Sequence, residues 1–337
     1  MWEELVEVWV RGASISVRWA GERFVEVASY LWDPQQRLYW LYILVSFAVA
    51  LGVYAVRSRR DSLPGGALAF VFPPYIWRHR STWVDIRYLI PHQMIRLTIY
   101  GALGVSVSAL VSTGAQGLLE WWWGVTPDVR ELEYLGVVIY TVLLAIALDF
   151  AAFGMHWLQH HVPALWAFHR VHHSSEVLNP LSNYREHPVD NLFYAISASL
   201  VYGLFVGLSR GRMGIEPTKW TILGVAVPFF LFNLAGYHLR HSHVWLRWPG
   251  SLAVCFGCPA HHQIHHSLLP EHRNKNLAFM LPVWDVLFGT FCLPDEEPEF
   301  TVGLGDGTEG EYHSFWSLYT RPLKDFRRAV YGGQATR

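Results

Sequence analysis

Five long apolar runs constrain the fold of this 337-residue chain, at about residues 38–56, 97–115, 135–153, 191–208 and 221–237. A helix needs about 20 such residues to cross a bilayer. Only 16% of the residues are charged, against about 25% in an average soluble domain. Seventeen tryptophans and nineteen phenylalanines are typical of a protein with aromatic belts at the membrane interface. We therefore predict an all-α integral membrane protein with four to five membrane-embedded helices.

Basic residues predict the orientation of these helices. Arg57, Arg59 and Arg60 directly follow the first run, and the positive-inside rule places that end in the cytoplasm. If each run crosses once, and 191–208 and 221–237 form a helical hairpin, the histidine-rich segments reach the same side. The net charge of −1 offers no basic excess for nucleic acid. Because no organelle signal is evident, we expect the inner membrane of a bacterium.

Composition divides the chain into three parts. Residues 1–37 mix tryptophan and valine with charged residues, and their apolar spacing near the start predicts an amphipathic helix at the membrane surface. Residues 38–294 contain the apolar runs and most of the histidines. Residues 295–337 begin with acidic residues and contain several glycines, which predicts a polar, loop-rich tail.

Histidine is the residue whose distribution indicates chemistry. Thirteen of the 18 histidines lie in the segments 156–173, 238–243 and 261–266. Spacings of three and four residues place imidazoles on one helix face. Eight histidines have such spacing: His156, His160, His169, His172, His173, His262, His265 and His266. Because a zinc site uses at most about four protein ligands, eight imidazoles indicate two metal ions.

The ligand type alone leaves the metal open, because imidazole binds zinc, iron, copper and nickel. The glutamate ligands of soluble di-iron bundles and the HExxH motif of zinc proteases are both absent. A shell made only of histidine leaves the charge of the metals unneutralised. Such a shell favours a strongly electrophilic centre, of the kind that activates oxygen.

The order HxxxH, HxxHH, HxxHH in a membrane protein resembles the fatty acid hydroxylase/sterol desaturase superfamily. Four flanking segments carry the same resemblance: LWAFHRVHHS at 165–174, REHP at 185–188, PAHHQIHHS at 259–267 and WDVLFGT at 284–290. The likeness extends over about residues 70–293. It implies a helical membrane stem with a cytosolic, histidine-rich helical cap.

The resemblance also implies an activity and a ligand set. Members are di-iron oxygenases that use O2 and two electrons to hydroxylate or desaturate a C–H bond of a membrane lipid, here fatty acyl, alkylglycerol or sterol-like. The eight histidines named above would hold two iron ions, for which zinc is a possible substitute. His241 best matches a further ligand of the family, with His238 and His243 as alternatives. His187 occupies the Arg-x-His-Pro position, as a ligand or beside one.

Metal-bound imidazoles usually donate their second N–H group to an acceptor. Acidic and amide side chains near the histidines are candidates for this role, although a capping or surface role is an equal expectation for each: Asp149, Glu176, Asn183, Glu186, Asp190 and Asp285. The electrons must come from outside the catalytic segment, because neither a GxGxxG unit nor a cysteine-rich iron–sulfur motif is present. A separate reductase with a ferredoxin or a b-type cytochrome is therefore expected.

Two other function classes compete with this interpretation. A membrane zinc hydrolase acting on a lipid would need one metal, an open coordination position and a general base, and would not need O2. A metal transporter would place its ligands at bilayer depth. The histidine segments lie outside the apolar runs, which argues against transport.

Overall fold

The computed structural model describes residues 18–19, 21–59, 65–124, 128–295 and 297–332, without the side chains of residues 101 and 102. Most of the predicted amphipathic helix near the N-terminus lies outside the described residues, although residues 21–29 are helical.

Most of the described chain is helical, which confirms the all-α class. After the helical residues 21–29, the α-helices are α1 (Trp40–Arg57), α2 (Gly66–Val71), α3 (Pro74–Trp77), α4 (Arg80–Trp123), α5 (Tyr134–His161), α6 (Pro163–His173), α7 (Pro188–Leu208), α8 (Val227–Leu234), α9 (Leu252–Cys255), α10 (Pro259–His266), α11 (Val283–Phe288) and α12 (Phe315–Tyr331). Short 3-10 turns cover Pro180–Tyr184, Tyr237–His241, Pro270–His272 and Glu309–Tyr312, and a π turn covers Ser209–Met213.

Four of the described helices are long and apolar enough to cross a membrane. These are α1, α4, α5 and α7 with its π turn, and they contain the first four apolar runs. α4 continues well beyond its run to a length of 44 residues. The prediction of an integral membrane protein is therefore confirmed.

The fifth apolar run is not a spanning helix, so the predicted helical hairpin is wrong. Residues 221–226 form a two-stranded antiparallel ribbon, β1 (Thr221–Ile222) and β2 (Val225–Ala226). Leu223 and Gly224 between the strands both have positive φ, as in a tight hairpin turn. The following α8 has only eight residues, or about 12 Å. The segment still brings the chain back beside α5 to the histidine end.

Small residues allow α4 and α7 to pack closely, as is common between membrane helices. A Cβ atom at Gly203 would lie 2.5 Å from the Ser108 carbonyl oxygen, and one at Gly207 would lie 2.6 Å from the Ala115 Cβ atom. Residue numbers rise together along both helices, so α4 and α7 leave the histidine end side by side. α5 returns the chain to that end.

The C-terminal tail packs on the histidine helices, so the loop-rich prediction is wrong for α12. Tyr312 and Leu318 are fully buried in a cluster with Val171 of α6. The Arg170 side chain donates hydrogen bonds to carboxylates of Asp306 and Asp325. Residues of the tail thus hold the outer face of α6.

Candidate metal centre

The structure gathers nine histidines into two neighbouring clusters. Cluster A has five members: His156, His160, His169, His173 and His265. Cluster B has four members: His172, His241, His262 and His266. Within each cluster, the potential ligand atoms all lie within 4.8 Å of one another.

Local helix geometry explains how each HxxHH sequence serves both clusters. On α6, His169 and His173 are four residues apart and face cluster A, whereas His172 lies on the adjacent stripe and faces cluster B. On α10, His262 and His266 share a stripe toward cluster B, and His265 faces cluster A. Adjacent histidines therefore point to different metal positions. The doubled histidine of each sequence is what allows two sites to lie side by side.

The Nε2 atoms of the clustered imidazoles converge. In cluster A, Nε2 of His156 lies 3.1 Å from Nε2 of His169, and Nε2 of His265 lies 3.1 Å from Nε2 of His173. In cluster B, Nε2 of His266 lies 3.1 Å from the Nε2 atoms of both His172 and His262. The atom of His262 is also 2.8 Å from Nε2 of His241.

Oxygen acceptors hold the opposite ring nitrogen of several ligands. Nδ1 of His156 lies 2.7 Å from the Leu277 carbonyl oxygen, and Nδ1 of His265 lies 3.0 Å from the Lys275 carbonyl oxygen. Nδ1 of His169 is 3.3 Å from an Asp190 carboxylate oxygen. A carbonyl or carboxylate oxygen only accepts, so it selects the tautomer with hydrogen on Nδ1 and a lone pair on Nε2.

Side-chain oxygens contact two further ligands in the same way. Nδ1 of His241 lies 2.8 Å from the Ser182 hydroxyl oxygen, and Nδ1 of His160 lies 3.3 Å from Oδ1 of Asn274. In all five cases the nitrogen that faces an oxygen is the one remote from the cluster.

The donor set fits bound metal ions. Nε2 lone pairs that face one another at about 3 Å repel unless a cation lies between them. Two metal–nitrogen bonds of about 2.1 Å at a right angle to each other place the two nitrogen atoms about 3.0 Å apart. The observed Nε2–Nε2 distances match this value. Nε2 of His160 in cluster A is buried and has no hydrogen-bond partner among the described residues. These imidazoles are therefore arranged for a metal ion in each cluster.

Burial also keeps the ligands in the form that binds metal. It lowers the pKa of His172 to about 3, with a smaller contribution from neighbouring charges. Burial likewise holds the pKa values of His241, His262 and His266 well below the usual 6.5. The imidazoles are thus neutral at pH 7, which is the protonation state that a metal ion requires of histidine.

Two predicted ligands lie outside both clusters. Nε2 of His187 lies 3.1 Å from the Tyr319 carbonyl oxygen, while its Nδ1 accepts from the Val189 N–H group at the start of α7. Nε2 of His238 lies 2.8 Å from the Arg37 carbonyl oxygen. Both rings bond to backbone groups, and neither ring belongs to a cluster. Of the three family-type candidates in 238–243, His241 is the one that enters a cluster, while Nε2 of His243 lies 2.6 Å from the Phe70 carbonyl oxygen.

The predicted orienting residues divide into those that contact a ligand and those that do not. Of the six predicted residues, only Asp190 bonds directly to a clustered imidazole, that of His169. The Gln159 side chain donates a hydrogen bond to the same carboxylate. Glu176 pairs with His313, away from the clusters. Asn183 donates to the Pro180 carbonyl oxygen at 3.3 Å and lines the cavity described below.

Asp149 and Asp285 act on one loop rather than on an imidazole. Asp149 accepts from the backbone N–H groups of Met280 and Leu281 and from the Trp284 indole, at 2.8 to 3.0 Å. Asp285 accepts from the backbone N–H groups of Leu277 and Ala278 at 2.7 and 2.9 Å. The carbonyl oxygen of Leu277 in this loop is the acceptor for His156. The two carboxylates therefore position a ligand through the backbone.

Several groups that contact the ligands could not be predicted from the sequence. Ser182 and Asn274 carry no sequence signal for this role, and the carbonyl oxygens of Leu277 and Lys275 cannot be read from residue type. Arg240 was also missed, although it directly precedes His241. Its Nη2 atom lies 2.9 Å from Nδ1 of His262. A guanidinium only donates, so Nδ1 of His262 is the acceptor, and the neutral ring carries its hydrogen on Nε2, the opposite tautomer to the five rings that face an oxygen.

A cavity of about 400 Å³ reaches the metal centre from the membrane stem. His156, His169, His172 and His262 border it at one end. Its other walls include apolar residues of α5, α7, α8 and the 277–281 loop: Leu148, Ala152, Ala198, Phe229, Leu277 and Phe279. Both clusters therefore share a partly apolar cavity large enough for part of a lipid.

The family model named fatty acid hydroxylase matches residues 141–290. An ornithine lipid hydroxylase, OlsE, of Rhizobium tropici is 28% identical over 210 residues, which cover 61% of this chain and 56% of the relative. The alkylglycerol monooxygenase of Homo sapiens is 26% identical over 185 residues, which cover 54% of this chain and 37% of that relative. The matches thus span about half or less of these relatives. No solved structure matches the chain.

Proposed function

Because the chain belongs to the fatty acid hydroxylase/sterol desaturase superfamily, we propose that it is an O2-dependent di-iron oxygenase of a membrane lipid. The observation that carries this proposal is the junction between the stem cavity and both histidine clusters. A lipid that enters from the bilayer would bring a C–H bond next to the metal positions.

The nine clustered histidines would hold two iron ions, and these would supply the activation of O2 for attack on an unactivated C–H bond. The balanced hydroxylation consumes one C–H bond, one O2 molecule, two electrons and two protons, and yields one C–OH group and one water molecule. Desaturation consumes the same oxidant and electrons, and yields an alkene and two water molecules. The chain's own residues would bind the lipid, orient the imidazoles and limit the access of water.

Iron is favoured over zinc by the number of donors. Cluster A offers five imidazoles, whereas zinc sites in proteins commonly have four ligands, of which catalytic sites supply three from the protein. Neither cluster includes a carboxylate among the described residues. The zinc hydrolase alternative would need a general base beside an open position, and these clusters do not supply one.

We further propose that the histidine end faces the cytoplasm of a bacterium. Arg57 is the last residue of α1 and pairs with Glu297, and α4 begins at Arg80, so basic residues lie at the histidine end of the stem. A second cavity, of about 850 Å³, reaches His160, His173 and His265 from another face, and its lining includes Arg273 and Asp306. This polar face is our candidate approach for an external electron donor, a reductase with a ferredoxin or a b-type cytochrome.

Oxidation of lipids by the purified, iron-loaded protein tests this function. The protein is mixed with extracted membrane lipids, a ferredoxin–reductase pair and ¹⁸O2, and products are analysed by mass spectrometry. We expect lipids that gain one ¹⁸O atom, or lose two hydrogens, only when O2 and reductant are both present. His266→Ala should abolish the product, whereas His313→Gln, which alters a histidine outside both clusters, should not. Lipid hydrolysis without O2 would instead support the zinc hydrolase.

A further inference from the structure

The stem cavity contains an excess of positive charge beside the metal centre. Arg37, Arg96 and Arg240 line it, whereas the carboxylates on its walls are those of Asp149 and Glu186. Both carboxylates are already engaged. Asp149 accepts three hydrogen bonds from the 280–284 segment, and Glu186 lies 3.9 Å from Arg96.

Arg37 and Arg240 have no carboxylate partner within 4.0 Å among the described residues. Arg240 is only 6% exposed. Its Nη2 atom donates to His262, but its buried Nη1 atom has no hydrogen-bond partner in the described part of the chain. Arg37 donates from Nη1 to the Tyr237 hydroxyl at 2.7 Å. Each guanidinium group therefore keeps donors that no acidic side chain among the described residues satisfies.

The two arginines are held by the same aromatic rings. The guanidinium carbon of Arg37 lies 4.8 Å from the ring centre of Tyr237 and 5.2 Å from that of Phe279. For Arg240 the corresponding distances are 5.8 and 4.6 Å. Cation–π contacts offset part of the cost of burying a charge. They supply no hydrogen-bond acceptor, and an unsatisfied buried donor remains costly.

We propose that Arg37 and Arg240 form an anion-binding subsite that receives the carboxylate or phosphate group of the lipid substrate. Guanidinium groups bind both anions through paired N–H···O hydrogen bonds. An anion here would satisfy the free donors and balance the positive charge of the arginines and of the metal ions. The assignment of a lipid as the ligand rests on the proposed function.

The subsite also predicts where the lipid is oxidised. Arg240 bonds to His262, which belongs to cluster B and borders the cavity. An anionic group held by Arg240 would therefore be separated from the metal position of cluster B by one guanidinium group and one imidazole ring. The oxidised carbon should accordingly belong to the polar end of the lipid or to its first chain carbons, and not to the distant end of an acyl chain.

Equilibrium binding to the purified protein, both metal-free and iron-loaded, tests the subsite. Three probes share one acyl chain and differ in headgroup: a fatty acid, a phosphatidic acid and a neutral fatty alcohol. We expect at least one anionic probe to bind wild type about tenfold or more tightly than the alcohol. A preference for the fatty acid would identify a carboxylate as the natural group, and a preference for phosphatidic acid would identify a phosphate. Equal binding of all three probes would overturn the proposal.

Matched variants locate the effect. Arg37→Gln removes the charge but keeps the backbone carbonyl that bonds His238, so iron content should be unchanged. The preference for the anionic probe should fall about tenfold, with alcohol binding intact, and Arg37→Lys should restore part of it. Arg210→Gln, which alters a surface arginine paired with Glu216, should match wild type. Equal weakening of anionic and neutral probes by Arg37→Gln would instead mean a structural role and contradict the proposal.

Different outcomes would reject the anion-binding subsite and the oxygenase function. Anionic preference without any O2-dependent product would retain the subsite and reject the oxygenase. Oxidation that proceeds equally on neutral lipid and in Arg37→Gln would retain the oxygenase and reject the subsite. Products oxidised only at the far end of the chain would also reject the subsite.

Discussion

Replacing Asp190 with asparagine tests how the protein orients its metal ligands. Asp190 and His169 are both almost fully buried, at 2% and 4% side-chain exposure, and the carboxylate accepts from Nδ1 of His169 at 3.3 Å. The carboxylate fixes the tautomer and makes Nε2 a stronger donor to a metal. Asparagine has nearly the same shape but carries no charge. The variant therefore removes the electrostatic support and little of the packing.

The expected loss is set by measured effects of such partners, which cost about 10- to 100-fold in metal affinity. This corresponds to about 1.4–2.7 kcal/mol at 25 °C. Cluster A should show the loss, because His169 belongs to it, while cluster B should keep its ion. Titration with a graded iron chelator, followed by elemental analysis, would measure the iron retained at each chelator concentration.

Glu176→Gln is the matched control for this experiment. Its carboxylate also pairs with a histidine, His313, but lies outside both clusters. We expect wild-type iron retention from this control. If Asp190→Asn is folded, as judged by its thermal unfolding midpoint, and holds iron as tightly as wild type, our account of ligand orientation is refuted.

Further predictions concern packing, a buried ion pair and pH. Gly207→Leu should overpack the contact between α4 and α7 and cost about 1–3 kcal/mol of folding stability, which should lower the unfolding midpoint in detergent. Gly117→Leu is the control, because no atom lies within 4 Å of the Cβ position of Gly117, and it should leave the midpoint unchanged. Arg185→Met should cost about 3–5 kcal/mol, because it leaves the fully buried Asp85 carboxylate without its partner at 2.6 Å; an unchanged midpoint would be inconsistent with that pair. His172, whose pKa falls from 6.5 to about 3 on burial, is neutral in the fold. The free energy of unfolding therefore has its full value above pH 6.5 and falls by up to about 1.4 kcal/mol per pH unit below it. Iron content and the unfolding midpoint, measured from pH 8 to 4, should both fall. Iron retention that is independent of pH would contradict this prediction.

The helices and most of the ligands could be predicted from sequence because they depend on regular spacing. Apolar runs of spanning length defined α1, α5 and α7, and three- and four-residue spacings identified eight of the nine clustered histidines. What spacing could not show is the division of each HxxHH between two clusters. That division depends on where α10 meets α6, which is a property of tertiary packing.

The expectations that the structure does not match have a common physical cause, which is that residue type alone specifies neither backbone conformation nor hydrogen-bond partners. Residues 221–237 are as apolar as a spanning helix, but the turn at Leu223 and Gly224 makes a ribbon of their first part. His187 and His238 have the residue type of a ligand, yet their Nε2 atoms bond backbone carbonyl groups. Backbone acceptors such as the Leu277 carbonyl oxygen are independent of side-chain identity, so sequence alone could not reveal them.

The metal content of the purified chain tests the central claim most directly. Elemental analysis after iron loading should find about two iron ions per chain in wild type. His265→Ala and His266→Ala should each retain about one ion, because these adjacent histidines belong to different clusters. A single zinc ion that survives both substitutions, or a folded wild-type chain that binds no metal, would contradict the paired metal centre.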